Sequence, residues 1–291
     1  MLKSFFVLLI MFGVSSAQAR AFNVTLLGTG NPWPRPERMG PAVVVKVGEE
    51  SFLFDVGRGA YLQLHKAGIA TKSLRHIFLT HLHSDHTVGL PDLWLSSSLV
   101  SRGLEAWEIS GPQGTKSFIS YMQKAFSADT ETRIREDKTP QVKFKINVHE
   151  ITEGLVYNKN GIKITAFKVE HGPIGEAFGY RIDAEGKSVV ISGDTIYSEN
   201  LIKHSKGVDL LIHEVAYFTG VEVKSSPVLS HHTLPDQAGR VFSQVKPGKA
   251  VYTHIVVSKD ITPEKLIELT RKTYQGPLVV GEDLMFFELN K

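Results

Sequence analysis

The run His81-Leu82-His83-Ser84-Asp85-His86 constrains this chain more than any other feature of it. Four groups able to bind a metal fall within six residues, directly after the apolar run Ile77-Phe78-Leu79 and before the turn Gly89-Leu90-Pro91. A tight loop leaving a strand can aim alternate residues at two neighbouring centres, and imidazole nitrogen and carboxylate oxygen are suitable zinc donors. The chain has no cysteine. That excludes disulfides, thiolate ligands and a cysteine nucleophile, and it argues for a catalytic metal site, because structural zinc usually recruits cysteine. A lone histidine is ordinarily a core or surface residue, but three with an aspartate at fixed spacing ask for a shared role.

Four further apolar runs lead to polar groups of the same kind. Ile164 to Val169 leads to His171, Val189-Val190-Ile191 to Asp194, Leu210-Leu211-Ile212 to His213-Glu214, and Val251-Tyr252 to His254. Continuous apolar runs suit strands buried on both faces, and residues just beyond such strands can converge in loops along one sheet edge. Strands are also predicted at Val24 to Leu27, Val43 to Val47 and Phe52 to Phe54, and between His171 and Asp194 at Ala177 to Ile182 and Ser188 to Ile191. Helices are predicted from Ala60 to Ala67 and from Leu234 to Val245, where Leu234, Ala238, Val241, Phe242 and Val245 share a face, and another opens at Thr262-Pro263. No repeat, low-complexity segment or linker interrupts this pattern. It reads as one mixed α/β domain.

The amino terminus differs. Lys3, the apolar run from Phe5 to Val14 and the pattern Ala17-Gln18-Ala19 predict a cleaved signal peptide over 1–19, leaving one domain over 20–291. The apolar run is well short of the roughly 20 residues that cross a bilayer. The expectation is an exported protein, periplasmic or secreted, with no membrane anchor after cleavage. A net charge of +3 without a long basic run is a weak pointer to a polyanionic partner.

The His-x-His-x-Asp-His run after a strand resembles the signature of the metallo-β-lactamase superfamily. The resemblance extends from Leu27-Gly28-Thr29-Gly30 through Leu53-Phe54-Asp55-Val56-Gly57 and Ser192-Gly193-Asp194-Thr195 to Tyr252-Thr253-His254. It implies a four-layer αββα sandwich with a dinuclear site at one edge of the two central sheets. By the same resemblance His81, His83 and His171 bind one metal, Asp85, His86 and His254 the other, and Asp194 bridges them. The implied cofactor is two zinc ions, with iron or manganese left open. Two cations roughly 3.5–4 Å apart can generate a nucleophile from water at neutral pH and polarise the substrate. Asp85 then both ligates and orients the attacking group. Relatives are often dimers, so a homodimer stays open.

Within the superfamily, Asp194 and the missing cysteine favour the phosphodiesterase, sulfatase and thioesterase branches over true β-lactamases, and His83 favours hydrolysis over a flavodiiron-type oxidase. Leu211-Ile212-His213-Glu214-Val215-Ala216 and His231-His232-Thr233 resemble paired motifs of the tRNA 3′-processing endonucleases (ribonuclease Z) and related arylsulfatases. In those relatives the glutamate supports a histidine that protonates the leaving oxygen. Glu214 with His232, ahead of His231, takes that role by resemblance; Glu214 as a partner of His213 is the alternative. Only twenty-two residues separate His171 from Asp194, too few for the RNA-binding arm of the bacterial endonucleases. The segments Arg35 to Ala42 and Phe54 to Gly59 look arylsulfatase-like. The expected substrate is therefore a small aryl or alkyl ester of sulfate or phosphate, with nucleic acid placed behind it. A ribonuclease Z-like phosphodiesterase is the first alternative; a β-lactamase-like hydrolase or a non-catalytic metal-binding protein is the next.

Other signals carry less. Trp33 stands where a dinucleotide fingerprint beginning at Gly28 needs its third glycine, and Thr115 spoils the phosphate-loop spacing of Gly111 to Ser117. His65, His76, His149 and His204 fall outside the constellation. Trp33 and Trp94 flank the expected cleft, where either could stack on an aromatic substrate or pack in the core.

Overall fold

A computed structural model describes residues 19–100, 103 and 105–290. The predicted signal peptide, all but Ala19, lies outside the described residues. Among these, two seven-stranded sheets dominate. The first is built from β1 (Phe22–Gly28), β2 (Ala42–Val47), β3 (Glu50–Phe54), β4 (Leu74–Phe78), β5 (Trp107–Gly111) and β6 (Ile146–Glu150) in chain order. The second runs from β7 (Gly154–Lys159) through β8 (Ile162–Val169), β9 (Ala177–Ala184), β10 (Lys187–Ile191), β11 (Leu210–Tyr217) and β12 (Lys249–Val257) to β13 (Leu278–Val280). The chain then returns to the first sheet as β14 (Phe286–Glu288), antiparallel to β1.

The apolar runs sort onto two faces. Along β2, Val43, Val45 and Val47 pack between the sheets while Ala42 and Val44 face helices, so both sides of the strand are buried. Along β11, Leu210 and Ile212 point between the sheets and Leu211 and Val215 outward. A strand buried on both faces has no polar alternation to show. The outer faces are covered on the first sheet by α1 (Ala60–Lys66), α3 (Leu90–Val100) and α4 (Thr115–Ala125), which contribute Leu64, Leu93 and Ile119 to one core. On the second sheet α6 (Glu199–Ser205), α7 (Pro235–Val245) and α8 (Pro263–Thr270) contribute Leu201, Phe242 and Leu266 to another. This is the expected αββα sandwich. The remaining helices, α2 (Ser84–Thr87) and α5 (Ser127–Arg135), lie at the end of the first sheet and beyond α4.

Helix starts follow their local chemistry. Pro235 and Pro263 each sit in the first turn, where a missing N–H costs nothing, and Thr262 accepts a hydrogen bond from the Lys265 amide. One expectation needs correction. His213, Glu214 and His254 do not lie beyond their strands but inside β11 and β12. The β11–β12 pairing jumps from Glu214 opposite Thr253 to Val215 opposite Ile255, leaving His254 as the extra residue of a bulge with φ of 42°. A bulge re-aims a side chain that strict alternation would send into a core. Backbone in this region is costly for a residue with a Cβ and clusters at functional sites.

Candidate metal centre

The seven expected donors converge from beyond the ends of β4, β8 and β10 and from the bulge inside β12. His81 and His83 leave β4, and α2 turns Asp85 and His86 back towards the second sheet. This turn is tied down from β3: the Val56 amide donates to the His86 carbonyl at 2.8 Å and the Gly89 amide to the Val56 carbonyl at 2.9 Å. The approach is close enough that a Cβ on Gly57 would come within 2.7 Å of the Asp85 carbonyl, so glycine is required there.

Hydrogen bonds fix which imidazole nitrogens are free. Thr80 donates its hydroxyl to Asp55 Oδ2 at 2.8 Å, so His81 donates from Nδ1 to Thr80 Oγ1 at 3.0 Å and presents Nε2. His171 donates from Nδ1 to the His231 carbonyl at 2.9 Å, and His86 from Nδ1 to Asp55 Oδ2 at 2.7 Å. Their Nε2 atoms are left as acceptors. His83 Nδ1 stands 2.9 Å from His81 Nε2 and 3.1 Å from His171 Nε2. Three imidazole nitrogens thus meet at one point, and with a cation among them all three could present lone pairs to it. In the second group, Asp85 Oδ2 lies 3.1 Å from His254 Nε2 and 3.6 Å from His86 Nε2. Asp194 Oδ2 lies between the groups, 3.2 Å from His254, 3.3 Å from His86, 3.7 Å from His171 and 3.9 Å from His81. The buried His86 Nε2 has no hydrogen-bond partner. The donor set fits a dinuclear metal site: two clusters of nitrogen and oxygen donors, sharing one carboxylate.

The electrostatics divide the histidines: burial disfavours the charged form of His86, but the carboxylates of Asp194, Asp55 and Asp85 outweigh it and hold the group well above the ordinary imidazole range. Burial pushes His81 and His171 below the ordinary imidazole range, His171 to about 4, which keeps them neutral as ligands must be. Burial pushes the Asp194 carboxyl up, but the imidazoles of His254 and His86 outweigh it and hold the group well below the usual carboxylate range.

Beside the donors, His232 Nδ1 lies 3.2 Å from Glu214 Oε2. Glu214 is held by its other oxygen, which accepts from the amides of Thr233 at 2.8 Å and Thr195 at 3.3 Å. Burial disfavours the His232 imidazolium, yet the Glu214 carboxylate wins and raises its pKa to about 9. The alternative partner for Glu214 falls away, since His213 Nδ1 turns to the Glu214 backbone carbonyl and its ring packs on Phe242. A cavity of about 310 Å³ is lined in part by His83, Asp85, His171, Asp194, His231, His232 and His254.

Three participants were not anticipated. Asp55, at φ of 58°, orients His86, and it also accepts from the Thr80 amide at 2.8 Å. Thr80 orients His81. Asp283 accepts from the amides of Thr29 and Met39 and from Gln63, anchoring the loop that follows β1. A carboxylate at the exit of a strand, as in Phe54-Asp55, was the available signal for the first. His65, His76, His149 and His204 lie outside the centre, as expected. Trp94 is packed in the core of the first sheet, and Trp33 lines the cavity.

A profile of the Beta-lactamase superfamily domain matches residues 51–255, which hold every donor described above. The chain belongs to the metallo-β-lactamase superfamily. Its place there is the ribonuclease Z-like branch: it is 32% identical over 276 residues to ribonuclease Z of Mycobacterium bovis (strain BCG / Pasteur 1173P2), covering 92% of this chain and 98% of that one. Ribonuclease Z of Mycolicibacterium gilvum is 31% identical over 272 residues, covering 90% and 94%. Among solved structures, human tRNase Z, short form, superposes with a TM-score of 0.72 at 26% identity, covering 92% of this chain and 100% of that one. The metallo-beta-lactamase fold protein YhfI of Bacillus subtilis, with a TM-score of 0.75 at 18% identity, shares the fold. This metallo-β-lactamase-superfamily chain is a metal-dependent hydrolase.

The substrate expectation is corrected by these matches. A small sulfate or phosphate ester, with nucleic acid set aside, does not agree with full-length similarity to proteins named for ribonuclease activity. The short span from His171 to Asp194 misled because it reports on one hairpin, β9–β10, in which Val189 pairs with Ile182. It says nothing of the leaving-group chemistry, which sits across the site on β11 and before α7.

Proposed function

We propose that this chain is a ribonuclease Z-like endonuclease, a dizinc hydrolase of phosphodiester bonds in RNA. The observation that carries this reading is the pairing of His232 with Glu214 at 3.2 Å, opening on the same cavity as the seven donors. His81, His83 and His171 would hold one zinc, Asp85, His86 and His254 the other, with Asp194 shared. Histidine and carboxylate donors without thiolate suit zinc at a catalytic centre. When bound, the two ions supply an activated water and polarise the phosphoryl group.

The protein's own side chains do the rest. Asp85 accepts a hydrogen bond from the attacking water and orients it. His232 gives its proton to the departing oxygen, and Glu214 keeps that imidazole charged and aimed. Thr233 and Thr195, through their amides, stop Glu214 from swinging away. The predicted leader over 1–19 supports export, so the RNA met by this enzyme lies outside the cytoplasm.

The test uses purified full-length and leaderless protein, zinc-loaded and after chelation, on a precursor tRNA, a single-stranded oligoribonucleotide, bis-p-nitrophenyl phosphate and p-nitrophenyl sulfate. Metal-dependent RNA cleavage is expected. Turnover of the sulfate ester with intact RNA would overturn the reading. Fusing residues 1–30 to a reporter active only outside the cytoplasm tests export, and a silent fusion would refute it.

A further inference from the structure

One wall of the catalytic cavity is apolar and has no part in metal binding. Trp33, Pro32, Val228 and Val256 line it, and the Trp33 ring leans on Phe218 with centroids 5.8 Å apart and an interplanar angle of 44°. Trp33 is 47% exposed, whereas Trp94 and Trp107 are 2% and 1% exposed. Half an indole left open to water at the mouth of an active site forgoes burial that the other two tryptophans achieve.

The platform is held rigidly. Asn31 is buried; its Oδ1 accepts from the Trp33 amide at 2.9 Å, while its Nδ2 donates to the Ile255 carbonyl. The Ile255 amide donates to the Thr29 carbonyl at 3.0 Å. Ile255 follows His254 in the bulge of β12, so the main chain that carries the indole is fixed relative to one of the expected metal donors through a short covalent and hydrogen-bonded path. Arg58 donates to the Pro32 carbonyl at 3.3 Å and carries a positive charge to the same rim.

We propose that Trp33, backed by Phe218, forms a nucleobase subsite that stacks a base adjoining the scissile phosphodiester. This rests on the ribonuclease reading above and adds to it. The polar floor of the cavity takes the phosphodiester, and the apolar wall takes a ring. Stacking accepts any base, because each has a π-face, so the subsite confers affinity and register with little sequence preference. Arg58, bonded to the Pro32 carbonyl, adds a positive charge beside this wall.

Two measurements test it on the zinc-loaded full chain. Trp33 is the most exposed tryptophan of the three, so a phosphorothioate-linked oligoribonucleotide is expected to quench intrinsic fluorescence in the wild type and in Trp107→Phe but not in Trp33→Phe. In cleavage, the preference for base-bearing over abasic substrate at one flank of the scissile bond is expected to shrink by roughly tenfold to a hundredfold in Trp33→Ala, the scale of base–aromatic stacking. Metal content and thermal melting verify that each variant is folded. RNA cleaved with undiminished base preference by Trp33→Ala, or quenching that persists in Trp33→Phe, would overturn the subsite alone. RNA neither bound nor cleaved by the wild type would overturn the ribonuclease reading as well.

Discussion

Asp55 Oδ2 accepts a hydrogen bond from His86 Nδ1 at 2.7 Å, in a position where neither group reaches water. The carboxylate fixes the tautomer and ring plane of His86 and makes Nε2 a better donor to a metal. Second carboxylates of this kind typically contribute 10- to 100-fold in metal affinity. Asp55→Asn is therefore expected to weaken metal binding at the group that includes His86 by about that factor. Competition with a chromogenic chelator measures it, and unchanged affinity would deny Asp55 this part.

Asp194 is the donor that no neighbour can replace, since a single oxygen faces both groups of imidazoles at 3.2–3.9 Å. Asp194→Ala is expected to drop bound metal from two ions per chain to one or none after dialysis. Atomic absorption reads this directly. A variant that keeps two ions would exclude the bridging position.

On the ribonuclease reading proposed above, His232 and Glu214 act on the leaving group and not on the metals. Replacing His232 with alanine should leave zinc content intact and lower RNA cleavage by roughly 10²- to 10⁴-fold, the usual scale for a general acid. Glu214→Gln should fall in the same direction. A substrate whose leaving group needs no proton, such as a p-nitrophenyl diester, should be affected far less by His232→Ala. Equal losses on both substrates would refute the assignment.

Far from the metals, His76 lies flat against Phe78, with ring centroids 4.4 Å apart, and its Nε2 meets Ser110 Oγ at 2.8 Å. Burial, joined by nearby His149, pushes its pKa down to about 4. An unfolded chain binds this proton near pH 6.5. Between those values the unfolded state holds more protons, so stability is lost as pH falls from about 6.5 to about 4. His76→Gln is expected to flatten this acid limb of stability in urea unfolding relative to wild type. An identical slope in the variant would place the acid sensitivity elsewhere.

The donors were legible for different reasons. His81 to His86 form a contiguous run whose spacing carries its own argument, and Asp194 and His171 follow apolar strands closely enough to be paired with them. His254 was found as a residue but misplaced as a loop position, because a bulge is a property of two strands and only β12 is visible when its own residues are read. Asp55 was passed over since its partner is thirty-one positions away and meets it only when β3 and β4 lie side by side. Trp33 and Trp94 are indistinguishable by type; burial separates them, and burial belongs to the whole packing. The substrate was misjudged because a missing insertion was given more weight than the pair His232 and Glu214.

The bulge at His254 leaves the strand serving two masters. Val251 and Tyr252 keep their alternate faces and pack in the two cores, while one surplus residue steps out of phase to reach the metal site. Four donors leave the first sheet and three leave the second, so the complete set exists only when the seam between the sheets is shut. A swollen, partly folded chain would keep His81 to His86 together as a local loop yet have nothing opposite them. Metal retained through dialysis therefore gauges how firmly the two halves of this protein are closed on each other.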